Sequence, residues 1–405
     1  MTRQERFLLF LLALLNFTHI LDFMIMMPLG NYLMPFFGIT PRSFTYLVSA
    51  YTISAAITGF LSAFYVDRFD RKKVLIIAYA GFILGTIACG IAPGFGWLLL
   101  ARIVAGMFGG LIGAQVLSII ADTFSYERRG MAMGSIMSAF AVASTLGVPF
   151  SLYLANMISW HAPFLFVGVC GLAILPLLHR FIPSMSGHIV EADADGNRKW
   201  LLLKNIFLNA RQRNALIFSS VVMMGHFMII PFVNPYMEFN NGVSRQLTPM
   251  IYLVGGIASF FASHLLGRLA DRFGKLKVYT IAVFSALPLI FAITSIQGIP
   301  FAWMLVIFAA WFVSSSGRAV TAQAMVSHVV QPEQRGSFQS FNSSMQQLGT
   351  GLASLIAGWM VVRGENGKIL HYDQVGWLSI ALLLISIFMA RHVFKNFDQS
   401  NKQSD

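Results

Sequence analysis

Asp22 stands inside an otherwise apolar run from Phe7 to Pro28, and Arg102 inside another, from Trp97 to Gly106. A charged side chain at the centre of a bilayer-spanning helix costs about 2.5–3.5 kcal/mol on insertion scales, so each needs a partner or a task. Both fall in the outer half of their segments, at similar depth. A guanidinium beside Asp22 favours the carboxylate, and separation of the two in another conformation favours proton uptake. A carboxylate that changes protonation with conformation can carry a proton against a substrate. The alternative is a static ion pair that fixes packing. Asn16, His19 and Asp22 recur every three residues and spread over one broad helical face that should line a cavity. His19 suits a proton relay near neutral pH, or a simple hydrogen bond to a neighbouring helix.

Arg318 is the odd residue of the second half. No carboxylate lies inside the apolar segments of that half, and the nearest, Glu238, is at an outer rim. A substrate anion, or Asp22 across a cavity, would balance the charge; a snorkelling or carbonyl-capped arginine is the simpler possibility. Gln115, His226, Asn234, Gln323, Asn342 and Gln346 supply further buried polar groups. Asn342 and Gln346, four apart, share a helical face. Pro231 and Pro235 break their segment, which suits an outer gate.

Other chemistries are missing from the sequence. It has no His-Glu-x-x-His, no Gly-x-Ser-x-Gly, no paired intramembrane aspartates and no Walker loop. An enzyme and an ATP-driven pump are therefore disfavoured, and no cofactor is expected beyond a proton gradient as the energy source. Cys89 and Cys170 both lie in apolar runs, where they serve packing, and no metal site is expected.

The elements that must position these residues follow from composition. Of 405 residues 57% are hydrophobic and only 11% charged, far less charge than a soluble domain carries. Twelve apolar segments recur, at about 7–29, 43–66, 74–93, 97–120, 131–155, 163–182, 213–236, 248–270, 277–297, 301–327, 337–362 and 375–394. Each is long enough to cross about 30 Å of hydrocarbon. The net charge of +12 does not point to nucleic acid, because Lys and Arg gather in every second loop. That asymmetry places both termini in the cytoplasm and the basic loops against lipid head groups. The first segment lacks a small-residue cleavage site and reads as a retained helix.

A polar linker, residues 183–212, separates two halves, 1–182 and 213–405; Trp200–Leu208 within it reads as an amphipathic surface helix. The halves repeat one another. Asp67-Arg-Phe-Asp-Arg-Lys-Lys-Val74 matches Asp271-Arg-Phe-Gly-Lys-Leu-Lys-Val278, Ala114-Gln115 matches Ala322-Gln323, and Glu127-Arg-Arg-Gly130 matches Glu333-Gln-Arg-Gly336. Duplicated six-helix halves are the architecture of transporters that rock two bundles about a midplane site.

On these motifs the chain resembles the major facilitator superfamily along its whole length. The family's Gly-x-x-x-Asp-Arg-x-Gly-Arg-Lys loop is close to Gly267-Arg-Leu-Ala-Asp271-Arg272-Phe-Gly274-Lys275. In the first half Ala63 and Asp70 replace the two glycines, while Asp67, Arg68, Arg71 and Lys72 remain. The resemblance implies a cytoplasmic gate made by Asp67, Arg68, Arg71, Asp271 and Arg272; a solvated charge run that merely obeys topology is the alternative. Leu21-Asp22 with Met27-Pro28, and Leu99 to Gly106 around Arg102, resemble signatures of the drug:proton antiporter branch. Gly147-Val-Pro149 is more similar to the sugar- and arabinose-efflux permeases, and it lacks the glycines that normally follow the proline.

The resemblance implies an all-α fold of twelve membrane helices in two pseudo-symmetric six-helix bundles, and a monomer in a bacterial inner membrane. It implies a proton-coupled efflux antiporter for a small organic or amphipathic molecule. Uptake of a small organic anion by proton symport is the alternative, and a non-transporting receptor or sensor is more remote, because the linker is too short for a signalling domain.

Overall fold

A computed structural model describes residues 2–124, 132, 136, 139–186, 208–330 and 335–395. Helix α1 (Arg3–Met26) opens with a reciprocal cap: Thr2 Oγ1 accepts from the Glu5 amide, and the Glu5 carboxylate accepts from the Thr2 amide. It stops at Met27, because Pro28 has no amide to donate to the Met24 carbonyl. The chain continues as α2 (Gly30–Phe37), which ends on Gly38 in the left-handed region at φ 61°. The second half repeats this device. Helix α8 (Ala210–Phe227) gives way across Met228 and Ile229 to α9 (Ile230–Phe239), ahead of Pro231.

The remaining helices of the first half are α3 (Pro41–Tyr65), α4 (Arg71–Gly90), α5 (Phe95–Thr123), α6 (Ala139–Met157) and α7 (Ala162–Phe181). The second half holds α10 (Thr248–Phe273), α11 (Lys275–Ser295), α12 (Phe301–Ser327), α13 (Arg335–Met360) and α14 (Tyr372–Phe394). A short antiparallel hairpin, β1 (Val362–Arg363) with β2 (Ile369–Leu370), closes the loop between α13 and α14. With each broken pair counted once, the described residues make twelve spans, an all-α fold as the sequence predicts. The end of the bundle that holds both chain termini is termed inner, and the opposite end outer. Residues 187–207 of the linker, residues 125–131, and Glu333 lie outside the described residues, so the expected surface helix and the Glu127–Gly130 repeat do too.

Eleven of the spans are apolar enough to cross a bilayer by composition alone. Helix α13 is the other, and its polarity has a packing cause. Between Phe338 and Met360 only Leu352 and Trp359 are exposed, so the helix is enclosed by protein and has almost no lipid face.

The two halves meet along symmetry-related seams: α3 on α13, α6 on α10, and α2 on α9. Small residues permit the approach. A Cβ on Gly351 would lie 2.7 Å from Ile53 Cγ1 and Thr52 Oγ1, and one on Gly256 would lie 2.6 Å from Thr145 Cα. Within the first half, Gly106 and Gly110 of α5 lie against the backbone carbonyls of Tyr51 and Ala55, bringing α5 close enough to α3 to set Arg102 over Tyr51.

Candidate substrate and proton site

Arg102 Nη1 donates to Asp22 Oδ2 at 2.8 Å, and both side chains are fully buried. The sequence expectation that the two charges meet is thereby realised in the structure. The guanidinium also lies on the face of Tyr51, 4.3 Å from the ring centroid, a cation–π contact in a water-poor setting. Asp22 Oδ1, Arg102 Nε and Nη2, and the Tyr51 hydroxyl have no hydrogen-bond partner among the described residues. Spare capacity of this kind at a buried ion pair is unusual for a purely structural pair, which needs its remaining groups satisfied.

Residues of the antiporter-like motif press on the same helix. Pro149 has no amide to give to Thr145, and α6 widens into a π turn over Ala143–Gly147 just before it. Gly147 faces Leu21, with a Cβ there 2.8 Å from Leu21 Cδ1, one residue from Asp22. Thr145 of the same turn meets Gly256 of the other half, so the motif touches both the acidic helix and the seam.

His19 lines a cavity of about 30 Å³ between the halves, with Gly109 and Gly113 on one side and Ser340, Ser344 and Gln347 on the other. That is room for about one water. Neither ring nitrogen of His19 has a partner, and Phe82 and Tyr51 flank the ring. Asn16 instead reaches from α1 to Ile136, donating to its carbonyl at 3.4 Å. Gln115 is buried with its oxygen unpaired.

In the second half Arg318 is 2% exposed, and its Nη2 donates to Ser315 Oγ at 2.8 Å. Its Nη1 has no partner, and no carboxylate pairs with it among the described residues. Asp22 is not its counter-ion here, because Asp22 is held by Arg102 in the outer half. Arg318 lies in the inner half of α12, which ends at Ser327. Ser315 Oγ also lies 3.4 Å from His226 Nδ1, and the His226 ring stacks on Trp311 at 5.0 Å. Gln346 donates to Gln323 at 3.4 Å, while Asn342 is fully buried with both polar atoms free.

A run of ring contacts joins the two charged clusters. From Arg102 it passes to Tyr51, then Phe23 (5.9 Å), Phe227 (5.8 Å), His226 (5.1 Å) and Trp311. The step from Phe23 to Phe227 crosses between the halves.

The outer end is closed by polar bonds across the seam. Glu238 pairs with Arg245 and accepts from Asn31 of the first half, and Arg245 Nη2 donates to the Asn31 carbonyl at 3.3 Å. Asn156 donates to the Arg245 carbonyl at 3.2 Å and accepts from Tyr32 at 2.6 Å. Asn234, expected in the cavity, belongs to this closure: its amide donates to the Pro28 carbonyl at 2.9 Å.

At the inner end Arg71, Asp271 and Arg272 of the expected gate contact partners within their own halves, while the side chain of Asp67 lies outside the described residues. Arg71 pairs with Asp122, and Lys275 lies 3.5 Å from Asp271 one turn away. Arg272 lies over Phe273. Asp70, which replaces a motif glycine, caps α4 by accepting from the Lys72 amide at 2.8 Å. It also accepts from Ser184 and from the Met185 amide, fastening the chain that leaves α7. Burial of Asp70 opposes its ionisation, but these three hydrogen bonds and a fourth from the Lys73 amide outweigh that and hold its carboxyl below the usual 3.8.

Sequence reasoning missed Tyr51, Trp311 and Ser315, and in the outer closure Asn31, Tyr32 and Asn156. The Ser314-Ser315-Ser316 run one turn before Arg318 was the legible signal for a polar site there; Tyr51 and Trp311 carry none, because aromatic residues are common in every span.

Two six-helix halves, related by a pseudo-two-fold and meeting around buried charges, define a secondary transporter that works by alternating access. The chain belongs to the Major Facilitator Superfamily, whose profile it matches over residues 12–314 and 215–403. It is 24% identical to an uncharacterized MFS-type transporter of Bacillus subtilis, YbcL, over 86% of each chain. It is 24% identical to the putative transporter AraJ of Escherichia coli over 61% of each, and 21% identical to a probable sugar efflux transporter of Pasteurella multocida over 79% of this chain and 74% of that one. Among solved structures it superposes on an inward-facing, unoccupied bacterial homologue of the human lysosomal transporter Spinster with a TM-score of 0.74 and 18% identity, covering 98% of each chain. A D-xylose–proton symporter gives 0.70 at 17% identity, covering 94% of this chain and 96% of that one.

Proposed function

We propose that this transporter is proton-coupled and works as an efflux antiporter for a small organic or amphipathic molecule, with Asp22 as the proton carrier. The observation that carries the reading is the fully buried Asp22–Arg102 pair at 2.8 Å, with half of the carboxylate and two guanidinium nitrogens unbonded. Rocking of the halves changes the surroundings of Asp22, and the carboxylate takes or gives a proton as Arg102 leaves or returns. His19, on the cavity wall, is the relay to water. Asp67, Arg68, Arg71, Asp271 and Arg272 form the cytoplasmic gate and bond between the halves when the inner end closes. Relatives named for sugar efflux and the Gly147-Val-Pro149 motif favour export. The reading places a monomer in a bacterial inner membrane, with both termini cytoplasmic and basic loops on anionic lipid.

A second reading is uptake by symport. Arg318 favours it, because an anion that enters with a proton crosses without net charge.

Liposomes of uniform orientation, loaded with a pH indicator and challenged with panels of sugars and organic acids, test both. Substrate efflux coupled to proton entry marks antiport; entry of both marks symport. Asp22→Asn removes coupling and leaves substrate equilibration, because an amide exchanges no proton. Accumulation by Asp22→Asn under a proton gradient would move the carrier to His19 or His226.

A further inference from the structure

We infer that the substrate carries an anionic group on an apolar body, and that this group docks on Arg318 in the second half. The inference rests on the chain being a transporter and holds for either direction of flux. It specifies what the cavity selects.

Charge is the first argument. The buried pair Asp22–Arg102 is internally neutral, whereas Arg318 brings an uncompensated positive charge among α8, α11, α12 and α14. The ionisable carboxylates described in the second half are committed or distant: Glu238 to Arg245 at the outer end, Asp271 to Lys275 at the inner end. A cation kept at such depth, bonded only to a serine hydroxyl, is a marker of a ligand pathway.

Donor count is the second. Trp311, Ser315 and Arg318 stand at i, i+4 and i+7 on one face of α12. Ser315 accepts from Arg318, so its own proton points to His226 Nδ1, which leaves His226 Nε2 as a donor by this assignment. Arg318 Nη1 and Trp311 Nε1 are buried and unpartnered. The face thus offers donors and almost no acceptors, the pattern that a carboxylate, sulfonate or phosphate monoester completes. The walls are aromatic, with Phe227 against His226 and Phe312 against Trp311. Such walls strip water from an ion and suit an apolar body.

The test uses the full-length protein in nanodiscs in dilute Tris buffer. Benzoate, benzenesulfonate and phenyl phosphate are the probes; benzamide is the neutral arm and sodium chloride the inorganic arm. Thermal unfolding and tryptophan fluorescence report binding. At least one organic anion should raise the melting temperature and quench fluorescence at millimolar concentration, with benzamide and chloride ineffective. Arg318→Gln should weaken that binding about tenfold or more. Should Arg318→Gln fail to fold, Arg318→Lys replaces it, and loss of the planar fork should weaken binding several-fold. No response to any organic anion, an equal response to benzamide or chloride, or undiminished affinity in the Arg318 variant overturns the inference. Asp22→Asn separates it from proton coupling: that variant should keep the Arg318-dependent binding even where driven transport is lost.

Discussion

Asn31, in the first turn of α2, and Glu238, in the last turn of α9, lie on opposite halves, and the Asn31 amide donates to the Glu238 carboxylate. The same carboxylate holds Arg245, whose guanidinium rests on Tyr32 at 4.7 Å. Four side chains from both halves therefore close one end of the molecule.

Opening that closure is predicted to favour the outward-facing form. Glu238→Gln keeps the shape and removes the charge, and Arg245 is left without its anion. A cysteine placed at Thr52, shielded by Gly351 in this conformation, should react faster with an external maleimide when Glu238→Gln is added. Because Arg245 is 39% exposed, raised salt should act in the same direction. Unchanged labelling would mean that the helix seams alone hold this end shut.

The ion pair makes an asymmetric prediction about stability. Arg102→Gln leaves a buried carboxylate without its partner and should cost up to about 3–5 kcal/mol. Asp22→Asn with Arg102→Gln replaces both charges by amides and should recover most of that in thermal unfolding, without restoring proton-driven transport. A double variant as unstable as Arg102→Gln would show that Arg102 acts by packing on Tyr51.

Helix α5 offers a packing comparison. Gly106→Ala drives a methyl into the Tyr51 carbonyl and the Ser54 hydroxyl, a clash that should cost about 1–3 kcal/mol. Gly96→Ala on the same helix meets nothing within 4 Å and should be neutral or slightly stabilising. Equal melting temperatures for the two would argue that α3 and α5 are free to separate.

The Asp70 cap gives a pH dependence with a definite sign. Its carboxyl is held below 3.8 in the folded protein, so its contribution is complete above the ordinary carboxylate range and fades as pH falls through the folded value. Asp70→Asn should therefore be less stable than the parent at neutral pH and converge with it in acid. Asn caps about as well as Asp, so the gap reports the charge on these hydrogen bonds and should stay below about 1 kcal/mol. A gap that widened in acid would reverse the assignment.

The fold was legible because bilayer length and a repeated motif each leave a signal that one sequence can carry. The meeting of Asp22 and Arg102 was legible for a related reason: two opposite charges in hydrocarbon have few other places to go. Asn234 was misplaced because an amide in an apolar segment fits a cavity as well as a seam, and only the break at Pro28 supplied the carbonyl that holds it. Arg318 was recognised as unbalanced, but its shell was not, since Ser315 and His226 come together only when α8 packs on α12. Asp70 looked like damage to a motif; it caps α4 locally, but its bond to Ser184, 114 residues away, left no mark in the sequence.

The run of rings between the clusters predicts energetic coupling. Phe227→Ala should lower organic-anion affinity modestly, because it removes part of the aromatic wall, and should in addition reduce how far that affinity changes with pH. A cycle combining Phe227→Ala with Asp22→Asn measures it directly: additive effects would show that the rings merely fill space.

Helix α13 has a consequence for counting. Only eleven spans declare themselves by greasiness, and an odd number puts the two ends of a chain on opposite faces of a membrane. Dropping α13 would carry Lys395 and the end of α14 outside, and it would bring Arg363 and Lys368 within. The helix that lipid scarcely sees is thus the one that decides on which side the chain finishes.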